Sequence, residues 1–208
     1  MRKTIITAAL SALALTPIIG SAIAQPAARE LPGKVDASRV VAGTYTVDPS
    51  HTLVGFRVNH FGFNDYFGIF GDSTGTLEID PANLAAAKVD ITIPVSKLTT
   101  ASERLTAHMN SADFFDTANH PNARFVSTKI TVDGNAAKIE GNLTIKGITK
   151  PVVLDASFTG IGNNPFNKKL TVGFEADTLI KRSDFGVKGA IPLVSDEVQL
   201  GITAAFEK

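Results

Sequence analysis

The sequence predicts an all-β protein, an antiparallel barrel of about eight strands with a short helical cover at one end. From residue 42 onward, apolar residues alternate with polar ones in segment after segment, which is the period of strands that bury one face. Short turns join most of these segments, and a meander of this size commonly closes into a barrel because closure removes exposed edges. Only the stretch from Thr99 to Phe125 interrupts this alternation with a helical spacing.

The first 24 residues have the pattern of a secretory signal peptide. A basic start precedes an apolar run and then small residues, so we expect cleavage between Ala24 and Gln25. A transmembrane anchor would need about 20 apolar residues, and Pro17 and Gly20 interrupt this run. The chain also lacks cysteine, so it uses no disulfides at its destination. We therefore predict a periplasmic protein.

Residues 25–41 precede the regular pattern. Their mixed charges, small residues and two prolines are typical of a linker or an extended N-terminal arm. The barrel domain is then expected to span residues 42–208. Without its leader the chain has 18 basic and 20 acidic residues, and it has no basic patch with interleaved aromatics. Nucleic-acid binding is therefore not expected.

The strands are predicted in order along this domain. Tyr45 and Val47 alternate with threonines, the residues from Asp48 to Ser50 favour a turn, and alternation resumes at Val54, which indicates a hairpin-like start. Glycines and aromatics in residues 61–71 indicate bulges or tight bends. The further strands are predicted around residues 77–79, 89–95, 125–132, 139–145, 152–158, 170–176 and 198–206.

A short helix is predicted between these strands. Thr100 and Glu103 have the spacing of a capping box, in which each side chain accepts a hydrogen bond from a free N–H group of the first turn. Apolar residues then recur every three or four positions. Pro121 favours an extended backbone before it, so the chain is expected to return to the sheet by Phe125.

The aromatic composition indicates the kind of ligand. The chain has 13 phenylalanines, two tyrosines and no tryptophan, so most of its aromatic surface carries no polar group. The phenylalanines cluster in residues 56–70 and 114–125, on either side of the predicted helix, where we expect the mouth of the barrel. An interior of this kind suits a long apolar ligand, although each phenylalanine taken singly is an ordinary core residue.

An enzyme is the main alternative. His51, His60 and His120 could converge with Asp113 to form a metal or acid/base site, but no two histidines have the spacing of metal ligands within one element. Cysteine is absent, no serine lies in a nucleophile elbow, and no glycine-rich loop has a phosphate-binding pattern. Arg182 lies in the charged segment 181–186, where it could bind a polar head group, or simply pair with Asp184 or cap nearby carbonyls.

A series of motifs resembles the YceI family of bacterial periplasmic proteins. The motifs follow in order: YTVDPSHT at 45–52, NH at 59–60, RL at 104–105, SADFFD at 111–116, HP at 120–121, GNLTIKGITKPV at 141–152 and KRSDFGV at 181–187. The resemblance implies a lipocalin-like β-barrel whose hydrophobic channel binds a polyisoprenoid, such as an isoprenoid quinone or a polyprenyl lipid. Tyr45 departs from the family, which often has tryptophan there, and so does the segment 102–109, where many members have an arginine-aspartate pair before a His-Leu pair.

Together these observations predict a periplasmic binding or transport protein, with no enzymatic activity, no cofactor and no metal. A barrel with a packed interior, acting as an accessory subunit of a membrane quinone system, remains an alternative. The expected partners are the isoprenoid ligand, a membrane or a membrane quinone enzyme in transient contact, and a second copy of the chain. The predicted ligand-binding residues are Phe56, His60, Phe70, Phe114, Phe115, Phe125, Phe158, Phe174, Arg182 and Phe185, with Asp113 as a further polar residue at the rim.

Overall fold

The computed structural model describes residues 30–208, so the predicted signal peptide lies outside the described residues. The described chain forms one short α-helix and one antiparallel sheet. The elements are β1 (Gly43–Val47), β2 (Leu53–His60), β3 (Asn64–Phe70), β4 (Thr74–Ile79), β5 (Lys88–Pro94), β6 (Leu98–Thr99), α1 (Glu103–Asn110), β7 (Asn122–Asp133), β8 (Ala136–Ile145), β9 (Ile148–Asn163), β10 (Leu170–Lys181) and β11 (Glu197–Glu207).

The eleven segments make an eight-stranded closed barrel, because three of its strands are interrupted. Segments β1 and β2 both pair antiparallel with β11, so they lie end to end along one neighbour. On their other side, β4 pairs with β1 and β3 pairs with β2. Next to these, β5 pairs with β4 and β6 pairs with β3. Each of these three pairs of segments therefore forms one strand. From β7 to β11 each strand pairs with the next, and β1 closes the sheet against β11. The predicted all-β, lipocalin-like barrel with one short helix is confirmed.

The predicted hairpin at Asp48 is wrong. The turn residues interrupt a single strand, because β1 and β2 both continue along β11 instead of pairing with each other. The backbone N–H of Asp48 donates to the carbonyl of Ala205 (2.8 Å), and the Thr52 side chain exchanges two hydrogen bonds with the same residue. The residues between Asp48 and Thr52 form an irregularity in the strand that β1 and β2 build together.

Helix α1 covers the end of the barrel at which β6 ends and β7 begins, which we call the helical end. Its N-cap is Ser102, whose hydroxyl accepts a hydrogen bond from the N–H of Leu105 (3.3 Å). The predicted capping box at Thr100 is therefore wrong, since the Thr100 hydroxyl bonds instead to Thr106 (2.9 Å) and Ser102 (2.9 Å). Across residues 30–208, no helix has the length and apolar character that crossing a bilayer requires.

At the opposite end, which we call the arm end, residues 31–41 run along the edge of β9 beyond the last pairing of β8. Lys34 and Ile161 exchange two backbone hydrogen bonds (3.0 and 2.9 Å). Gly162 allows this close approach, because a Cβ atom there would overlap the carbonyl of Pro32. The buried hydroxyl of Tyr45 holds the end of the arm by donating to the carbonyl of Val41 (2.7 Å).

Candidate ligand-binding cavity

An apolar cavity of about 420 Å³ lies inside the barrel. Its size falls within the range of about 300 to 1,000 Å³ that small-molecule sites occupy. Inward-facing side chains of β2, β4, β5 and β7 to β11 form most of its wall. The aliphatic and aromatic side chains of this wall are Val54, Leu77, Ile79, Val89, Ile91, Ile93, Phe125, Ile130, Val132, Ile139, Leu143, Leu154, Phe158, Phe174, Leu200, Ile202 and Phe206.

Space inside the barrel results from a row of small side chains across three strands. Ala137 of β8 pairs in register with Ala156 of β9, which pairs in register with Ala176 of β10. All three line the cavity. Because cross-strand neighbours on one face lie about 5 Å apart, a row of methyl groups leaves room that larger side chains would fill.

Four phenylalanines contribute the aromatic part of the wall. Phe125 lies over Gly141 of the neighbouring strand, where a Cβ atom would overlap its ring. Phe158, Phe174 and Phe206 form a continuous series, with ring centroids 5.9 and 6.1 Å apart. These distances lie in the usual range of favourable ring contacts.

The helical end of the barrel is packed. Phe56 and Phe70 contact each other at a ring-centroid distance of 5.8 Å, and Phe115 meets Phe70 edge to face at 5.6 Å. These residues and Phe185 belong to one cluster that also includes Met109 of α1. The side chains of this cluster that face inward close the cavity on this side, so the cavity has a blind end beneath the helix.

The cavity reaches the surface at the arm end. There its wall includes exposed residues of the β4–β5 connection, of the β7–β8 turn and of the arm. The wall residues at this opening are Ala37, Ser38, Val40, Pro81, Leu84, Ala87, Gly134 and Asn135. The sequence places the mouth beside the helix, and the position of the cavity puts it at the opposite end.

Few polar groups face the cavity. Thr52 is bonded to Ala205, and the hydroxyl of the fully buried Ser73 has no hydrogen-bond partner among the described residues. Glu175 is the only charged residue that contributes to the described wall, and its side chain is on the exposed face of β10. A ligand inside the cavity therefore meets hydrocarbon on nearly every side.

The ten predicted ligand-binding residues divide into two groups. Phe125, Phe158 and Phe174 line the cavity. The other seven lie outside its described wall, and Phe56, Phe70, Phe115 and Phe185 are in the packed cluster. The ring of Phe114 packs on His108 at 4.9 Å, and the ring of His60 stacks on Phe61 at 4.0 Å.

Arg182 is held by the backbone of one loop. Its guanidinium donates to four carbonyls at 2.7 to 3.0 Å, those of Val187, Gly189, Val194 and Ser195. Burial lowers the pKa of this guanidinium, and the charge of Asp196 partly offsets the effect. Since its donors are engaged by the loop, Arg182 organises the helical end and contributes no group to the cavity.

The four residues of the alternative metal or acid/base site have separate surroundings. His51 contacts Asp48 (2.6 Å), while Asp113 is exposed and lies 3.9 Å from His108. No hydrogen bond or ion pair joins any two of His51, His60, His120 and Asp113 within the described chain. Residues 30–208 contain no group of three or more acidic or histidine side chains placed to hold a metal ion.

The aliphatic wall and the alanine row are the parts of the site that sequence reasoning missed. The clustered phenylalanines indicate a binding surface, but most of the wall is aliphatic. The sequence carries one weak sign of the cavity, which is alanine at inward positions of three successive strands. Strand alternation alone does not reveal it, because the period of two leaves the inward face undetermined.

Comparison with known proteins identifies the fold and its relatives. The YceI-like domain family matches residues 45–206. Protein YceI of Escherichia coli O157:H7 is 40% identical over 169 residues, which cover 80% of this chain and 88% of that protein.

Two solved structures are also similar. Burkholderia cenocepacia BcnA superimposes with a TM-score of 0.69 at 27% identity, covering 76% of this chain and 98% of that one. A polyisoprenoid binding domain from Saccharophagus degradans, implicated in plant cell wall breakdown, has a TM-score of 0.63 at 13% identity and covers 78% and 97%. At that identity the second similarity concerns the fold alone.

Proposed function

Because the chain belongs to the YceI-like family, we propose that it is a periplasmic carrier that holds a long apolar polyisoprenoid inside its barrel. The ligand class is an isoprenoid quinone or a polyprenyl lipid. The polyisoprenoid binding domain of similar fold and the YceI-like relatives support a binding protein for apolar ligands rather than an enzyme.

The observation that carries the proposal is the apolar cavity of about 420 Å³. Each methylene group moved from water into such a cavity contributes about 0.8 kcal/mol, so an isoprenoid chain gains affinity along its whole inserted length. Of the described wall, no charged side chain faces the interior, and this selects against ionic ligands.

The periplasmic location rests on the predicted signal peptide. Export with cleavage after Ala24 would place the barrel between two membranes, and an isoprenoid lipid resides in membranes. An accessory role beside a membrane quinone enzyme is compatible with the same location, but it does not require the cavity.

The direct test is to purify the protein from its own periplasm and identify the ligand that accompanies it. Native mass spectrometry followed by organic extraction is expected to reveal one isoprenoid per chain. A protein that is empty, and that also takes up neither quinones nor polyprenols from detergent solution, would contradict the proposal.

A pair of variants tests whether the cavity is the binding site. Ala156→Leu places a larger side chain in the middle of the alanine row and is expected to reduce ligand retention about tenfold or more, since a few methylene contacts are lost. Thr203→Leu is the control, because Thr203 is exposed on the outer face of β11. Equal retention by both variants and the wild type would place the ligand elsewhere.

A further inference from the structure

The arm end, where the cavity opens, carries exposed apolar side chains. On the arm, Leu31, Val35 and Val41 expose 74, 61 and 52% of their surface. Phe166, in the loop between β9 and β10, is 92% exposed, and Val132 is both exposed and part of the cavity wall. We name these five residues the apolar rim.

The apolar rim stands on fixed parts of the fold. Lys34 and Ile161 attach the arm to β9, and Tyr45 holds Val41. The loop that carries Phe166 is held by the buried carboxylate of Glu207, which accepts hydrogen bonds from the side chains of Asn164 (3.3 Å) and Asn167 (2.8 Å). The rim therefore presents its side chains in a defined arrangement and is not a set of mobile tails.

We propose that the apolar rim docks on the surface of a lipid bilayer, where the ligand enters and leaves the cavity. This inference rests on the proposed function. A polyisoprenoid resides in membranes, and it avoids water during transfer only when an apolar surface connects the bilayer to the cavity. Val132 provides that continuity, because it belongs both to the wall and to the rim.

The charges near Phe166 fit a bilayer. Lys168 lies two residues away, and its ammonium group donates to the carbonyl of Pro165 (2.6 Å) and takes part in no ion pair within the described chain. An apolar side chain with an adjacent lysine suits an interface, where the ring enters the acyl region and the ammonium group meets phosphate. Lys169 is already paired with Glu207 (3.2 Å), so binding should depend mainly on apolar insertion and only weakly on salt.

The helical end provides a matched control surface. Phe63 is 85% exposed in the turn between β2 and β3, beside the exposed Phe61 and Leu193. The packed cluster of phenylalanines separates this surface from the cavity. Docking at the helical end would therefore give the ligand no path into the cavity.

The experiment compares Phe166→Asp with Phe63→Asp, since both side chains are almost fully exposed and neither supports the core. Donor vesicles of phosphatidylcholine contain a fluorescent polyprenol, and transfer to acceptor vesicles is followed together with flotation of the protein on the vesicles. Phe166→Asp is expected to lower the transfer rate and the vesicle-bound fraction about tenfold, the loss expected when one phenylalanine is no longer inserted. Phe63→Asp should match the wild type.

Equal effects of the two variants, or an effect of Phe63→Asp alone, would overturn the assignment of the docking surface. A wild type that retains the polyprenol from detergent but never exchanges it with pure lipid vesicles would also overturn it, and would indicate a protein partner. A wild type that takes up no polyprenol even from detergent would instead contradict the proposed function.

Discussion

Arg182 has the structural role that its surroundings in the sequence left open beside a ligand contact. A cation in a charged segment can contact a ligand or bond to nearby carbonyls, and four carbonyls of the loop from Val187 to Ser195 occupy its donors. The loop follows β10 and precedes β11, and these four carbonyls are outside the strand ladders. The guanidinium serves as their donor.

We expect Arg182→Met to lower the free energy of unfolding by about 3 kcal/mol or more, because four buried or half-buried carbonyls lose their donor. Urea unfolding measures the change. Lys181→Met, at the exposed neighbouring position, serves as the control and should have little effect. Similar stability for the two variants would contradict the structural role of Arg182.

A substitution of Ser73 is expected to have the opposite effect on the free energy of unfolding. Its buried hydroxyl has no partner in the described part of the chain, so Ser73→Ala should raise the free energy of unfolding by about 1 kcal/mol. Ser127→Ala is the matched control, since the Ser127 hydroxyl accepts a hydrogen bond from the N–H of Val89 (2.9 Å) and its removal should destabilise the protein. A loss of stability in Ser73→Ala would show that its hydroxyl finds a partner in solution.

Glu207 makes the free energy of unfolding depend on pH in the acidic range. Hydrogen bonds from Asn167 and Lys169 hold the pKa of this carboxyl below its ordinary value of 4.5, against the opposing effect of burial. Its contribution is therefore complete above pH 4.5 and is lost as the pH falls through the lowered value. Glu207→Gln should flatten the fall in stability below that pH, measured by urea unfolding, whereas Glu197→Gln, at the exposed start of β11, should leave it unchanged. A wild-type fall that persists in Glu207→Gln would assign the acid dependence to other carboxylates.

At the scale of single residues, the sequence predicted chemical type better than position. It indicated an apolar interior, but it could not assign an inward face to each strand, because alternation is symmetric between the two faces. Phe125, Phe158 and Phe174 line the cavity, and Phe56 and Phe70 lie in the packed half of the same barrel. The distinction depends on which neighbours each ring meets across the sheet.

At the scale of elements, the strands and the helix could be predicted, but their connections could not. The residues from Asp48 to Ser50 favour a turn in any context, and only the register on β11 shows that the strand continues beyond them. The helix begins near its expected position, with Ser102 instead of Thr100 as its cap, because both residue types can accept the same hydrogen bond.

The arm can be tested as an element of its own. Gly162→Ala would bring a methyl group against the carbonyl of Pro32 and should displace the arm while the barrel remains folded. Hydrogen exchange at the amides of Lys34 and Ile161 is expected to accelerate, because their mutual hydrogen bonds break. Gly201→Ala, where a Cβ atom meets no neighbour within 4 Å, is the control. Unchanged exchange in Gly162→Ala would mean that the arm adapts without leaving β9.

At the scale of the whole molecule, the sequence predicted the closed barrel because the number of strands and the short turns leave few alternatives. It could not predict that the barrel is packed at one end and open at the other. That difference arises from a few positions at which strands from distant parts of the chain meet, such as Ala137, Ala156 and Ala176.

Removing the ligand should destabilise the whole barrel if the proposed function is correct. A ligand at 100 times its dissociation constant adds about 2.7 kcal/mol to the free energy of unfolding, so extracted protein should unfold at lower temperature and regain its midpoint when a polyprenol is added. Ala156→Leu should show a smaller recovery. An unchanged midpoint after extraction would mean that the barrel interior does not hold the ligand.

The blind end beneath α1 gives the cavity a fixed depth. An inserted chain stops at the packed phenylalanines. The cavity therefore fixes the length of ligand that enters from the arm end, whatever the total length of the ligand. Any surplus length has to project past the mouth. Two lipids with identical inserted ends and different total lengths would then fit equally well, and a ring at the inserted end would be excluded. The protein would thus select isoprenoids by the shape of the inserted terminus and not by their total length.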